Sequence, residues 1–509
     1  MRPPKRISFL VPAVCALLLL VMLWQASSAA EAVLNTRAFL PLVVAPSSNP
    51  SSPTPTDPVP TPGGADGALF LEPGQKIASP TILADAQGGL HAAYYYYVAA
   101  VNNPDAVYAY CPPPATQCLD AGNWQHVRVF GPVGEVQLQL TPAGQPRLLA
   151  ASLTSGYAGR LLQTYQYAEC DAGCLNAQNW HKADITTTQI GYIPDSRELT
   201  RRSFALDHAG RPRFVFYDFG SGDYPNERHG GFYYQCDAQC ADASNWQGSR
   251  FTHVDPENES RSELVVSPVL KFTSANQPRV LGKFNGLDGF DTTMYIAYFA
   301  CDNGCTSDAN WNRVAIAPSG SGPRPAWDLE LDHSDRPRAV VYHEDVSGDT
   351  ATSQQLVFYA CDANCLDAGA WQNLNFNPDV PHNVGQGADL ALDSQGRPRI
   401  AHLVNNGALA FSWCDGACLQ APNWRHVVAE DTPALDADGN VIIPTSCVQG
   451  VWDNYGASLV LDANDDIRIA YNASYQAQCP NLPPEPGDPP TNSFQEVAHS
   501  VRVFFSPKP

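Results

Sequence analysis

Basic residues are scarce in this chain. Its 509 residues include 30 Lys and Arg against 51 Asp and Glu, a formal net charge of −21, and an N-terminal leader carrying Arg2, Lys5 and Arg6 holds part of that small positive complement. A surface this acidic repels phosphate backbones and anionic headgroups, so no nucleic-acid partner is expected, and no membrane contact beyond an N-terminal anchor. Helical periodicity is missing as well. Apolar residues alternate with period two, and Gly, Pro, Asp and Asn interrupt them too often for amphipathic helices. There is no serine elbow, no zinc-protease histidine pair and no phosphate-binding glycine loop. Asp436-Ala-Asp438-Gly-Asn440 and Asp462-Ala-Asn-Asp-Asp466 lack the full ligand spacing ending in glutamate that a calcium loop needs, and read as hairpin turns. No metal and no cofactor is expected.

What is present begins with a leader. Residues 1–30 combine a basic start, an apolar run from Ile7 to Trp24 and the small-residue site Ser28-x-Ala30, the pattern of an export signal. The same run is long enough to act as an uncleaved anchor. Either way the remainder is expected to be secreted or held at the cell surface. Residues 31–66 form a Pro/Ser/Thr-rich linker that cannot build a core. Within it, Arg37-Ala-Phe-Leu-Pro-Leu-Val-Val44 is a short apolar segment, either a retention element or a strand that docks elsewhere.

From residue 67 to 509 the chain repeats. A strand–turn–strand signature reads Leu206-Asp-His-Ala-Gly-Arg-Pro-Arg213 and recurs as Leu331-Asp-His-Ser-Asp-Arg-Pro-Arg338, Leu392-Asp-Ser-Gln-Gly-Arg-Pro-Arg399 and Leu461-Asp-Ala-Asn-Asp-Asp-Ile-Arg468. Looser copies end at Arg147 and Arg279, and the first has His91 in the arginine slot, which makes seven. After each of the first six comes an aromatic-rich strand, a Cys-Asp-x-x-Cys turn and a tryptophan; the first such turn is stretched to Cys111-Pro-Pro-Pro-Ala-Thr-Gln-Cys118. Each unit therefore holds four short strands, and units of this size and content predict a seven-bladed β-propeller of four-stranded antiparallel blades. The seventh unit lacks the cysteine turn and its tryptophan. Ala68-Leu-Phe-Leu-Glu72 is expected to complete that last blade and close the ring.

Fifteen cysteines less Cys15 in the leader leave an even fourteen. In an exported chain they predict one disulfide per blade: Cys111–Cys118, Cys170–Cys174, Cys236–Cys240, Cys301–Cys305, Cys361–Cys365, Cys414–Cys418 and Cys447–Cys479. The recurring tryptophans are expected to pack between blades. The Pro-Arg arginines are expected to pair with turn aspartates such as Asp207 and Asp332.

The hairpin followed by Tyr-x-x-Cys-Asp-x-x-Cys-x5-Trp resembles repeats of secreted bacterial propellers similar to the sialidase-like superfamily, whose Asp-box turn the cysteine turn would replace. That resemblance implies the fold over residues 67–509. The sialidase catalytic set has no counterpart here, because the arginines occupy a repeated structural slot. Variation concentrates in the loops that follow the Pro-Arg strands, including residues 218–229, 285–291 and 342–349. The expected function is thus a non-catalytic, monomeric binding propeller that recognises a glycan or an extracellular protein through those loops. The alternative is a polysaccharide-acting hydrolase or lyase, with Asp218, His229, His343, Glu344 and Asp345 as candidate catalytic residues.

Overall fold

The computed structural model describes residues 67–72, 77–96, 105–155, 161–190, 202–219, 229–255, 258–285, 295–318, 327–344, 354–376, 388–404, 408–430, 448–478 and 494–509. Seven four-stranded antiparallel sheets account for almost all of them. Blades 1 to 6 occupy residues 77–132, 135–190, 204–250, 264–318, 327–375 and 389–430, each with its strands in chain order. The first strands of successive blades touch in a complete circuit, from Ile77–Ala84 through to Val448–Leu461 and back to Ile77–Ala84. They therefore stand around one axis, as a propeller requires. Blade 7 takes three strands from the end of the chain, Val448–Leu461, Ile467–Gln478 and Phe494–Ser506. Its fourth is Gly67–Phe70, antiparallel to the last strand with Ala68 opposite Phe504. Leu71 continues this edge by donating its backbone N–H to the Val501 carbonyl. A small hairpin, Val254–Asp255 with Asn258–Ser262, lies between blades 3 and 4.

Local chemistry explains why each repeat folds this way. In the first hairpin turn, one aspartate carboxylate oxygen accepts from the backbone N–H groups two and four residues on, as Asp207 Oδ1 does from Ala209 and Arg211 at 3.0 Å each. The fourth turn residue has positive φ, supplied by Gly88, Gly144, Gly210 and Gly396, or by Asn276, Asp335 and Asp465. The non-glycine residues have a reason to be there. Asn276 accepts from His208 N, Asp335 from Ser274 N, and Asp465 from Ser394 N, each in the preceding blade's turn. At Gly144, Gly210 and Gly396 a Cβ would touch the preceding blade's turn, as Asp332 and His333 would against Gly396, whereas at Gly88 it would meet open space.

The second turn is held by the expected disulfides. All six in blades 1 to 6 form, with Cα separations of 5.7–5.9 Å. The proposed Cys447–Cys479 pair falls outside the described residues, as do the leader and the 31–66 linker. Each following tryptophan donates its indole N–H to the carbonyl of the turn's second cysteine, for example Trp246 to Cys240 at 2.8 Å. Its ring then meets an aromatic ring on the third strand of the blade before. Trp180 meets Tyr108, Trp246 meets Tyr167, Trp311 meets Tyr233, Trp371 meets Tyr298 and Trp424 meets Phe358, all near-perpendicular at 5.3–5.6 Å. Trp124 packs in the same way against blade 7, among Ala470, Val503 and Phe505.

Two outcomes follow. Trp246→Ala removes an edge-on aromatic contact across a blade seam and should cost about 3–5 kcal/mol, read from chemical denaturation. Ala417, held at φ 49° in the last cysteine turn, should gain about 0.5–1 kcal/mol on replacement by glycine, because a Cβ is disfavoured in the left-handed region.

Candidate ligand-binding face

Antiparallel pairing sends the two kinds of connection to opposite rims of the disc. The first-to-second and third-to-fourth turns share one rim. The second-to-third connections and the links between blades leave from the other.

The turn rim is locked by an arginine in each of blades 2 to 7, buried in blades 2, 3, 6 and 7 and partly buried in blades 4 and 5. Arg399 is 1% exposed. One guanidinium nitrogen donates to the Pro398 and Cys414 carbonyls at 3.1 and 3.0 Å, and the other to Asp393 and Asp415 at 2.7 and 2.8 Å. Arg338 makes the same four contacts with Pro337, Cys361, Asp332 and Asp362. The aspartate of the arginine's own hairpin is thus a partner, together with that of the adjacent cysteine turn. Blades 2 and 4 place Thr141 and Thr273 where the hairpin aspartate would be. There the arginine turns to Gln145 and Gln277, two residues before it. In blade 1, His91 bridges Asp85 and Tyr108. Burial lowers its pKa, against the opposing pull of Asp85.

A second polar system circles the axis. Four residues before each hairpin aspartate or threonine, the first strand carries Thr81, Gln137, Ser203, Val269, Asp328, Asp389 or Ser458. Four of these accept a backbone N–H from the next blade: Gln137 from Phe204, Asp328 from Leu390, Asp389 from Leu459, and Ser458 from Ile82, at 2.6–3.2 Å. Between blades 3 and 4 the Arg202 carbonyl takes that role for Leu270 N. The Arg202 side chain reaches past blade 4 to pair with both Asp328 and Asp389. Lys271 pairs with Glu330 beside it. Burial and the neighbouring Asp328 push the Asp389 carboxyl up to about 7, although Arg202 pulls the other way.

Three further clusters stand apart from these two systems, one between blades 7 and 1 and two within blades 5 and 6. Glu72 accepts from Tyr94 and Tyr96 at 2.7 Å, and the Tyr94 oxygen also meets His126 Nδ1 at 2.7 Å. Because Tyr94 donates to the glutamate, the proton in its second contact belongs to the imidazole. His343 Nε2 meets the Tyr359 hydroxyl at 2.8 Å, and burial lowers the pKa of the histidine. Ser412 is fully buried between His402 and His426. That burial makes Ser412 a core hydrogen-bonding group with no route to a solute.

The sequence-predicted catalytic candidates divide between two blades. Asp218 and His229 end adjacent strands of blade 3, where Asp218 is opposite Gly230 and Phe219 opposite His229. His343 and Glu344 end the second strand of blade 5, opposite Gln355 and Gln354. One blade intervenes, and Asp345 lies outside the described residues, as do most of the variable loop positions. Sequence reasoning passed over Arg202, Asp328 and Asp389. The signal for the two aspartates was a polar residue recurring in an otherwise apolar strand, four places before the turn; Arg202 occupies no repeated position. Among the described residues no group of three or more His, Cys, Asp or Glu is placed to hold a metal ion, and no helix is long and apolar enough to cross a membrane.

No family model matches the sequence, and no curated protein is detectably similar. Solved structures do resemble it in fold. The polysaccharide lyase Uly1 is 9% identical, with 84% of this chain and 89% of that one covered and a TM-score of 0.43. The NanB sialidase of Streptococcus pneumoniae is 10% identical over 86% and 70%, with a TM-score of 0.39. The BP39L lectin of Burkholderia pseudomallei is 12% identical over 79% and 96%, with a TM-score of 0.35.

Arg202→Met leaves two buried carboxylates facing each other without their cation and should cost roughly 3–5 kcal/mol at neutral pH. The sign of its pH dependence follows from Asp389, whose folded carboxyl already stands raised to about 7 and loses the opposing pull of Arg202. The unfolded chain releases that proton first as pH rises, so the variant's stability should be greatest near pH 4 and fall through pH 7. Melting curves of wild type and variant across that range read both effects.

Proposed function

We propose that this protein is an extracellular binding propeller that recognises a glycan or an extracellular protein from the rim opposite its locked turns. The observation that carries this reading is the division of labour between the rims. On the turn rim the repeated arginines and aspartates are spent on one another and on backbone carbonyls, as at Arg399 and Arg338. The sequence variation that distinguishes one blade from another is gathered at the other rim. A scaffold that is uniform on one side and individual on the other suits recognition through loops. Six disulfides within the blades suit an oxidising compartment outside the cell.

A polysaccharide-acting enzyme is the second reading, supported by the register that ends the strands of Asp218 and His229 side by side. One experiment separates the two. The mature chain is applied to glycan and cell-wall polymer arrays, and the same polymers are incubated with it and assayed for new reducing ends and unsaturated products. Saturable binding without product is expected, and a variant with residues 220–228 replaced by a Gly-Ser linker should bind more weakly at an unchanged melting temperature. Product formation would establish the enzyme reading. Absence of binding across both arrays would sink the glycan reading.

A further inference from the structure

The axial polar system holds more acid than base. Asp328 and Asp389 stand on the first strands of blades 5 and 6 and are 0% and 3% exposed. Glu330, half-buried, is a third carboxylate beside them. Two cations face these three acids: Arg202 pairs with both aspartates, and Lys271 pairs with Glu330. Lys271 neutralises Glu330, which leaves one guanidinium between two buried carboxylates. Among the described residues these pairings leave one interior negative charge without a counter-charge.

The hydrogen bonds show where that surplus lies. Asp328 Oδ2 accepts from Leu390 N at 2.7 Å, and Asp389 Oδ2 accepts from Leu459 N at 2.6 Å. The same two oxygens take the two terminal nitrogens of Arg202. Asp328 Oδ1 is left buried with no hydrogen-bond donor among the described residues. An ionised oxygen in that position has lost water and gained no partner, which is costly. A proton on the neighbouring carboxyl group, held by the same guanidinium, removes the surplus charge and supplies the missing donor.

We propose that Asp328 and Asp389 share a single proton up to neutral pH, carried by Asp389 and donated to Asp328 Oδ1, which makes the axis a pH-sensitive lock. The proposal does not depend on what the protein binds. The surroundings of Asp389 support it. Burial pushes its carboxyl up to about 7, against the pull of Arg202 and with the help of Asp328. The other charged groups on the strands packed against it have partners of their own. In blade 5, Glu330 pairs with Lys271, Arg338 with Asp332 and Asp362, and His343 bonds Tyr359. In blade 6, Arg399 is held by Asp393 and Asp415, and His402 bonds Ser412. In blade 7 the first strand offers the Leu459 N–H, and its one charged residue, Asp453, is six residues earlier in that strand.

Without the proton, two like charges compete for one cation. Each also holds the first strand of the next blade, so the 5–6 and 6–7 seams are affected together. The unfolded chain gives up this proton near pH 4 and the folded chain near pH 7. The pair's contribution to stability therefore falls across that interval and is lowest above it.

The test uses the full mature chain with Asp389→Asn, which keeps an acceptor for Leu459 N and imitates the protonated state, and with Asp328→Asn, which removes the second carboxylate. Infrared difference spectra between wild type and each variant should show a buried carboxylic-acid band in wild type at pH 6. That band should fade as pH rises through about 7 and be absent from both variants. In denaturant unfolding, the wild-type folding constant should fall about tenfold or more between pH 5 and pH 8 relative to Asp389→Asn. A wild type without the band at pH 6, or a pH profile that Asp389→Asn reproduces, would overturn the shared proton. If either variant does not fold, the wild-type band and its titration decide alone.

Discussion

A propeller blade ends in turns whose carbonyls point into a crowded rim, and the buried guanidinium is what makes that rim tolerable. Each arginine of blades 2 to 7 satisfies carbonyl oxygens at the start of its own strand and at the end of the next, and gives its other nitrogen to a side-chain acceptor beside it. Planarity matters here. A fork of fixed donors can serve two carbonyls and two carboxylates at once, which an ammonium on a flexible stem could not. The hairpin aspartate is bound by the same economy. One of its oxygens closes the turn on backbone N–H groups and the other holds the arginine. Where threonine replaces it, the carboxylate is lost, and the residue two before the arginine changes from arginine to glutamine. That paired change within a single chain shows the contact being maintained through different chemistry.

Between blades, two systems divide the work. The tryptophan wedge supplies apolar contact well out from the axis, and its indole N–H ties it to the cysteine turn of its own blade. Near the axis the first strands expose an edge with no further strand to pair with, and a side chain from the preceding blade takes up some of its N–H groups. This is the usual problem of a free sheet edge, solved without adding a strand. Arg202 goes further by linking blade 3 to blades 5 and 6 through Asp328 and Asp389. Ring packing alone couples nearest neighbours, whereas this contact couples blades that are not adjacent in the ring.

The parts legible from sequence were those that repeat. Seven hairpins with an aspartate (in five) or a threonine (in two) and a positive-φ residue at fixed places, and six cysteine turns at a spacing that suits a disulfide, determined strand order, blade number and six pairings. The axial circuit was harder because its chemistry changes from blade to blade, through Thr81, Gln137, Ser203, Asp328 and Ser458, so that only position recurs. Arg202 precedes its blade and belongs to no repeat. Glu72 finds Tyr94 and Tyr96 only because the first strand is carried round to the last blade. The candidate catalytic residues were chosen from non-repeating loops, where a chain offers nothing internal for comparison. The structure divides them between blade 3 and blade 5.

The same contrast bears on what the molecule does. Repetition carries the cost of folding: turns, wedges and staples consume the arginines, most of the tryptophans and twelve of the cysteines. Blade 7 departs from that pattern: after Tyr471 the sequence carries no Cys-Asp-x-x-Cys turn and no following tryptophan, and the fourth strand of its sheet is Gly67–Phe70. A blade built without the shared fastenings is held instead by that pairing and by Trp124 of blade 1, which packs among Ala470, Val503 and Phe505.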